Sequence, residues 1–202
     1  MPDLVLYGNR ESGHSYKVKL ALAVLAIDHE YRAVDLLLPR DQRPEDFRRA
    51  SKFGEVPVLL IDGVPLAQSS AILRYLARET GRLTLPGAPE RVDEWLGWEA
   101  NRIGFSLPNL RFARRFTTDT PPEVIAWLAA RTHADLDRLD DELGRTPFLL
   151  GAAPTIADIA CCGYLFWPEQ AGIDLAAWPQ IRRWLAAIRA TPGWQEPYRL
   201  LA

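Results

Sequence analysis

The pattern of apolar and polar positions divides the chain into two unlike halves, and the first half alternates in character. Residues 4–7 form a short apolar run that ends at Gly8, which predicts a strand followed by a turn. Residues 15–26 are apolar almost all round, which predicts a helix that other elements cover on more than one side. A second short strand at 31–34 and a short polar helix at 44–50 follow.

A hairpin and a third helix complete this half. The runs Val58–Ile61 and Val64–Leu66 flank Asp62-Gly63, a pair typical of tight hairpin turns. Pro65 has no backbone N–H to donate, so we expect the second of these strands to lie at a sheet edge. Apolar residues at helical spacing then mark a helix that Gly81 can end. The predicted order is strand, helix, strand, helix, hairpin and helix.

From Pro89 onward the pattern predicts helices alone. One long helix carries Trp95, Leu96 and Ile103, another carries Leu128, Leu136, Leu139 and Leu143, a third starts near Thr155, and a fourth runs from about Trp178 to Ala190. The stretch between the halves is rich in Gly and Pro, which is typical of a linker. We therefore predict an α+β domain over residues 1–80, a linker over 81–88 and an all-helical domain over 89–202.

Charge and composition narrow the class of protein. The chain has 24 Lys and Arg against 26 Asp and Glu, a net charge of −2, which gives no reason to expect nucleic acid or an acidic membrane as partner. A local basic cluster at Arg111, Arg114 and Arg115 is read as a solvated helix face. The longest apolar run, Leu20–Ile27, is too short to span a bilayer, and the N-terminus lacks a signal-peptide pattern. We expect a soluble protein of the reducing cytoplasm.

The two cysteines, Cys161 and Cys162, are adjacent in the sequence. Neighbours in a helix cannot meet normal disulfide geometry, so no disulfide framework is available. Their surroundings in the sequence are apolar, which favours small core residues over a redox role.

Three separated motifs carry a resemblance that covers essentially the whole chain. They are residues 6–18 (LYGNRESGHSYKV), residues 53–59 with 66–72 (FGEVPVL and LAQSSAI), and residues 151–158 (GAAPTIAD). In order and spacing they resemble the glutathione S-transferase superfamily, and the first resembles its serine-type classes (theta, zeta and many bacterial members). The resemblance implies a thioredoxin-like N-terminal domain, an all-α C-terminal domain, glutathione as co-substrate with no metal, a homodimer, and a role in detoxification.

Ser12 lies where the family places the glutathione sulfur. A free thiol has a pKa of about 8.5, so only a few per cent is thiolate at neutral pH, and the thiolate is the nucleophile. A hydroxyl donor, backbone N–H groups and the positive end of a helix each stabilise the anion, and lowering the pKa by two units needs roughly 2.7 kcal/mol. The alternative is that Ser12 or Ser15 simply caps the helix. With the other motifs present, we expect Ser15 to be the cap and Ser12 to donate to sulfur.

The neighbouring His14 departs from the Cys or Asn that related classes often carry there. It is either a second stabiliser of the thiolate or, as we favour, a partly exposed loop histidine. The zeta-class sequence Ser-Ser-Cys is replaced here by Ser12-Gly13-His14, which counts against maleylacetoacetate isomerase. An N-terminal active-site cysteine is absent, which counts against an omega-type thiol–disulfide reaction.

The second motif is expected to hold the glutathione peptide. Val56-Pro57 resembles the family's cis-proline turn, which would present the N–H and C=O groups of Val56 to the cysteinyl unit; an ordinary trans proline is the alternative. Gln68 and Ser69 lie at a helix N-terminus, which suits the γ-glutamyl carboxylate, although Ser69 can also be an ordinary cap.

Two charged residues near this motif have open roles. Glu55 replaces a neutral or amide residue, and it either repels an anionic ligand or binds the γ-glutamyl ammonium group. Lys52 can pair with the glycyl carboxylate or remain an exposed lysine.

A second-substrate pocket is expected between the domains. Trp98, Arg102 and Phe105 share a face of the long helix at spacings of three and four, opposite Leu37 and Leu38. A core position for the two aromatic residues is equally consistent with this spacing. Apolar walls would suit a hydrophobic electrophile.

Thr155 and Asp158 form a Thr-x-x-Asp pair ahead of an apolar run, which predicts a capping box with a role in stability alone. From the motifs together we predict a glutathione transferase in which Ser12 activates the thiol. The alternatives are a glutathione-dependent peroxidase and a non-catalytic binding or regulatory relative.

Overall fold

The computed structural model describes residues 2–202 and separates into two compact units. The first unit runs to Arg82 and includes Thr191–Ala202, and the second is Leu83–Ala190. The sequence interpretation placed the last twelve residues with the helical half, whereas the structure groups them with the first unit.

The first unit has the predicted order of elements. Its strands are β1 (Leu4–Gly8), β2 (Glu30–Ala33), β3 (Val58–Ile61) and β4 (Val64–Ala67), and its helices are α1 (Gly13–Leu25), α2 (Glu45–Ala50), α3 (Ser69–Thr80) and the C-terminal α9 (Pro197–Leu200). A 3-10 turn at Arg40–Gln42 precedes α2. Gly81, in the left-handed conformation, ends α3 as predicted.

The described strands form one mixed sheet in the order β2-β1-β3-β4. β1 pairs in parallel with β2 and antiparallel with β3, and β3 pairs antiparallel with β4. β4 is therefore an edge strand, and Pro65 lies opposite Leu60 within it. This confirms the expectation that its missing N–H requires an edge.

The α1 helix is buried almost all round because three elements cover it. It packs against α3, β1 and α9, and even its Lys17 side chain is only 1% exposed. The segment that leads to α9 lies close along α1. Gly193 has a φ of 90°, and a Cβ there would overlap the carbonyl oxygen of Ala23. This contact explains why the tail belongs to the first unit.

The regular elements of the second unit are helices, apart from an isolated β-bridge between Phe148 and Gly151. The unit contains α4 (Pro89–Asn101), α5 (Ile103–Arg115), α6 (Pro122–Leu143), α7 (Ile156–Cys162) and α8 (Pro179–Arg189), with 3-10 turns at Pro168–Ala171 and Leu175–Ala177. The α5 helix packs on α4 and α6, α4 packs on α7, and α6 packs on α8. Cys161 and Cys162 are both buried in α7, as expected of core residues. No helix among residues 2–202 combines the length and apolar character needed to cross a membrane.

One expectation about this unit was wrong, and a second holds only in part. The single long helix is two, because Arg102 takes φ −118° and ψ −105° between α4 and α5. The restart is tight: a Cβ at Gly104 would overlap the side chain and carbonyl oxygen of Glu99. The basic cluster is a solvated face only in part, because Arg114 and Arg115 are exposed but Arg111 is not. The Arg111 side chain is 2% exposed, with its guanidinium 4.7 Å from the Trp167 ring centroid, and Arg114 donates to a backbone carbonyl.

The Thr155–Asp158 capping box is confirmed, and it is larger than predicted. One carboxylate oxygen of Asp158 accepts from the N–H (2.8 Å) and hydroxyl (3.1 Å) of Thr155. The other accepts from the N–H of Leu149 and the indole N–H of Trp184, both at 2.9 Å. Asp158 therefore joins three separate parts of the second unit.

Candidate active site

The loop between β1 and α1 places Ser12 at the N-terminus of a buried helix. Ser12 is the N-cap: its Oγ accepts a hydrogen bond from the N–H of Ser15 at 3.1 Å. The expectation that Ser15 would be the cap was wrong, because Ser15 is already inside the first turn. The cap uses only a lone pair of the hydroxyl oxygen, and within residues 2–202 the hydroxyl hydrogen of Ser12 has no acceptor. Ser12 is 8% exposed.

Asn9 holds this loop from the inside, a role that the sequence analysis missed. Its carbonyl oxygen accepts from the N–H of Ser12 at 3.0 Å, and its side-chain oxygen accepts from the N–H of Glu11 at 2.8 Å. Its amide nitrogen donates to the carbonyl oxygen of Val34 at 2.8 Å, and its own N–H donates to the hydroxyl of Ser15 at 3.2 Å. An Asn that follows a strand-ending Gly is the signal that could have indicated this turn.

His14 lies in the first turn of α1 and is half-buried, so the expectation of a loop histidine was wrong. Its Nδ1 lies 3.1 Å from Nζ of the buried Lys17. Burial, and then the charge of Lys17, hold the pKa of His14 well below its usual value of 6.5. The imidazole is therefore neutral at pH 7. With Nδ1 accepting from lysine, the tautomer assigned to it carries the proton on Nε2.

The turn before β3 has the predicted cis bond between Val56 and Pro57. Ser51 fixes Glu55, the residue that precedes this turn. Its hydroxyl donates to the carbonyl oxygen of Glu55 (2.7 Å) and accepts from the N–H of Glu55 (2.9 Å). Neither the N–H nor the C=O group of Val56 has a hydrogen-bond partner in the described chain. The turn thus presents one donor and one acceptor that the sheet does not use.

Gln68 and Ser69 lie at the start of α3, as predicted. The N-cap position belongs to Gln68, which has φ 73° and makes no side-chain capping bond, so Ser69 is the first helical residue and not the cap. Ser69 is buried. The Gln68 side-chain amide donates to a carboxylate oxygen of Glu55 at 3.2 Å, which joins the second motif's two halves.

Basic side chains lie around the loop before this turn. Lys52 is exposed, with its Nζ 4.8 Å from the Phe53 ring centroid. A pocket of about 280 Å³ is lined by Arg40, Asp41, Arg43, Phe47, Arg48, Ser51 and Gly54. Arg43 is committed to the structure, since its guanidinium donates to the carbonyl oxygens of Leu36, Leu38 and Gly54. Sequence spacing gave no sign that these arginines would meet.

Tyr7 carries a second hydroxyl close to Ser12 in the sequence, and it lies on β1, the strand that leads to Ser12. Its O–H donates to Asp46 at 2.7 Å and accepts from Arg32 at 3.0 Å. Burial, and the bond to Asp46, raise the pKa of Tyr7 above its usual value of 10.0. This hydroxyl proton is already donated, whereas that of Ser12 is not.

The three residues expected to line a second-substrate pocket lie on two helices. Trp98, on α4, packs edge to face on Trp95 with ring centroids 5.3 Å apart. Phe105, on α5, is 41% exposed and packs edge to face on Trp127 at 6.3 Å. Arg102 forms the break between the helices. The prediction that they share one helix face was therefore wrong, and their role in a pocket stays a prediction.

Among residues 2–202, no three His, Cys, Asp or Glu side chains are grouped closely enough to hold a metal ion.

Comparison with known proteins gives a consistent result for both units. Residues 2–78 match the family model "Glutathione S-transferase, N-terminal domain", and residues 122–187 match "Glutathione S-transferase, C-terminal domain". The disulfide-bond oxidoreductase YfcG of Escherichia coli K12 is 31% identical over 190 residues, which cover 89% of this chain and 87% of that protein. The maleylacetoacetate isomerase of Pseudomonas aeruginosa is 27% identical over 202 residues, which cover 96% of this chain and 94% of that protein.

A solved structure gives the same result for the fold. The crystal structure of a glutathione S-transferase from Pseudomonas fluorescens Pf-5 has a TM-score of 0.88 and 32% identity, and the match covers 96% of this chain and 98% of that one. The predicted thioredoxin-like and helical domains are confirmed. The chain belongs to the glutathione S-transferase family and is a transferase of that family.

Proposed function

We propose that the first unit binds glutathione and that Ser12 activates its thiol for attack on a hydrophobic electrophile. The observation that carries the proposal is the undonated hydroxyl hydrogen of Ser12, at the N-cap of α1. A thiolate there accepts that hydrogen bond and lies at the positive end of the helix. The thiol proton passes to solvent, and the sulfur lone pair forms the new C–S bond while the electrophile releases its leaving group or takes up a proton.

The cysteinyl unit of glutathione has a matching edge in this proposal. The unpaired N–H and C=O groups of Val56 form two backbone hydrogen bonds with it, as a short added strand would. The cis bond at Pro57 shapes this turn. Pairing at this edge orients the cysteine side chain toward Ser12.

The γ-glutamyl end is assigned to the N-terminus of α3. Its carboxylate binds at Ser69, where the first N–H groups of the helix have no intrahelical partner. Its ammonium group binds at Glu55, whose carboxylate and the neighbouring side-chain oxygen of Gln68 together offer acceptors. This assignment makes Glu55 a binding residue and not a repelling one.

The glycyl carboxylate is assigned to the basic side chains before the turn. Lys52 remains a candidate partner, and Arg40 and Arg48 are two more, since the pocket that they line is bounded by Gly54. Arg43 is assigned to the wall of the pocket, because three of its five N–H donors already bind carbonyl groups.

Disulfide reduction is the second candidate, and the relative named disulfide-bond oxidoreductase favours it. Because Cys161 and Cys162 are buried, the thiols would come from glutathione alone. Two glutathione molecules would reduce one disulfide to two thiols and leave as glutathione disulfide, which balances electrons and protons. Peroxide reduction shares the same first step. A cytoplasmic homodimer acting in detoxification remains our proposal for the setting.

The test is the ultraviolet absorbance of the bound glutathione thiolate as a function of pH, in the wild type, Ser12→Ala and Ser12→Thr. We expect a depressed thiol pKa in the wild type and in Ser12→Thr, which keeps the hydroxyl, and a return toward about 8.5 in Ser12→Ala. Bound glutathione with an ordinary thiol pKa in the wild type would rule out activation by Ser12. Turnover with an aryl halide and with a small dialkyl disulfide then separates the two candidates.

A further inference from the structure

The C-terminal tail contacts the loop that carries Ser12. We call residues 9–12 the active-site loop. The hydroxyl of Tyr198, on α9, donates to a carboxylate oxygen of Glu11 at 2.9 Å. The guanidinium carbon of Arg10 lies 5.2 Å from the centroid of the Tyr198 ring. One side chain near the end of the chain thus contacts both residues that precede Ser12.

A second contact seats the tail farther along α1. The hydroxyl of the fully buried Tyr16 donates to the carbonyl oxygen of Gln195 at 2.9 Å. Near the start of the tail, Gly193 packs so closely on Ala23 that no side chain fits. The tail is therefore fixed at two levels of α1 before it reaches the active-site loop.

The loop is held from both sides as a result. Asn9, which is part of the loop, accepts hydrogen bonds from the backbone N–H groups of Glu11 and Ser12. Tyr198, which lies outside the loop, contacts the side chains of Arg10 and Glu11. Glu11 also carries negative charge one residue from Ser12, where added negative charge disfavours a thiolate. Its hydrogen bond to Tyr198 fixes where that charge lies.

We propose that Tyr198 is a positioning residue for the glutathione site, holding the active-site loop so that the Ser12 hydroxyl meets the thiol. The inference rests on the proposed function. It also gives the tail a role in the first unit. Small displacements of a reacting group have large effects on rate and binding. Loss of one side chain that does not itself touch the thiol can therefore weaken glutathione binding.

The first measurement needs no ligand. Amide hydrogen exchange of residues 9–12 is compared in the wild type, Tyr198→Phe and Tyr198→Ala, with Tyr75→Phe on α3 as the matched control. We expect the loop to exchange faster than in the wild type in both Tyr198 variants and at the wild-type rate in the control. Exchange within α1 itself should be unchanged in all of them. The urea midpoint of unfolding, measured for each variant, establishes that the whole chain is folded.

The second measurement is the Kd for glutathione and the pH dependence of the bound thiolate. Loss of one hydrogen bond is expected to raise Kd about three- to ten-fold in Tyr198→Phe. The bound thiol pKa should shift toward its free value. Glu11→Gln keeps an acceptor for Tyr198 and should retain the slow exchange, whereas Glu11→Ala should lose it. A combined Glu11→Ala and Tyr198→Phe variant should then exchange no faster than Glu11→Ala alone.

Unchanged loop exchange in Tyr198→Ala would overturn the inference whatever the state of the proposed function. Faster exchange with unaltered glutathione binding would overturn the positioning role. If the wild type itself fails to bind glutathione, the proposed function fails first, and the inference falls with it; the wild-type titration identifies that case.

Discussion

Nζ of Lys17 lies 3.1 Å from Nδ1 of His14, so a buried lysine meets an imidazole within the first two turns of α1. Both side chains lie on the helix whose N-cap is Ser12. The lysine donates, so the imidazole must accept, and this is possible only for the neutral ring. The pair therefore links the protonation state of His14 to the geometry of the helix that carries the proposed thiol activator.

We predict that the protein loses stability as pH falls below the ordinary histidine pKa, and that His14 is a main cause. The folded-state pKa of His14 lies well below 6.5, so its contribution is fully present above pH 6.5 and is lost as pH falls toward the folded value. Each unit of depression corresponds to about 1.4 kcal/mol. Urea midpoints of the wild type and His14→Gln between neutral and mildly acidic pH check this.

The variant should show a shallower decline than the wild type over this range. His29→Gln is the comparison, because burial also lowers the pKa of His29, which lies in the loop that follows α1. Parallel profiles for the wild type and His14→Gln would contradict the prediction.

Local sequence signals determined the first unit well. The Asp62-Gly63 turn and Pro65 predicted the hairpin and its edge strand because turn type and a missing donor are properties of a few neighbouring residues. The cis bond at Val56-Pro57 came from the resemblance, since spacing alone left trans open. Ser12 and Ser15, however, are both residues that can cap a helix, and the sequence does not say at which of them the helix begins. In the structure Ser12 is the N-cap and Ser15 lies inside the first turn.

Contacts between residues far apart in the chain were not predicted from the sequence, for a different reason. The break at Arg102 follows from the fit of Gly104 against Glu99, and the burial of Arg111 follows from Trp167, more than fifty residues away. Apolar periodicity continues across such a break, so a pattern cannot detect it. The tail shows the same limit. Nothing in residues 191–202 indicates that Tyr198 contacts Glu11.

Asp158 is predicted to be the most sensitive polar residue of the second unit. Asp158→Ala leaves the N–H groups of Leu149 and Thr155, the Thr155 hydroxyl and the Trp184 indole N–H without their acceptor. We expect a loss of about 3 kcal/mol or more, beyond the roughly 1–2 kcal/mol of a simple cap. Thr155→Ala should cost only about 1 kcal/mol. Chemical denaturation compares them, and equal losses would show that the wider network adds nothing.

Gly104 and Gly97 are predicted to respond in opposite directions to the same substitution. A Cβ at Gly104 overlaps Glu99, including its backbone oxygen, so Gly104→Ala should destabilise the chain by about 1–3 kcal/mol. A Cβ at Gly97 on α4 meets nothing within 4 Å. Gly97→Ala should therefore stabilise by about 0.5–1 kcal/mol through helix propensity. Thermal or urea unfolding measures both, and a stable Gly104→Ala would mean that α4 and α5 can separate more readily than the observed packing implies.

Glu55 is predicted to strengthen glutathione binding, despite adding negative charge beside an anionic ligand. Its carboxylate already accepts from Gln68, and an ammonium group at this position would find acceptors on both side chains. Glu55→Gln keeps the size of the side chain and removes the charge, so the Kd for glutathione should rise about ten-fold, as for loss of a charge-assisted hydrogen bond. Calorimetric titration provides the value. The same titration with a glutathione analogue that lacks the γ-glutamyl amino group is the control, because wild type and variant should bind it equally. Tighter binding of glutathione by Glu55→Gln would show instead that the carboxylate repels the ligand, and the ammonium group would then have to be placed elsewhere.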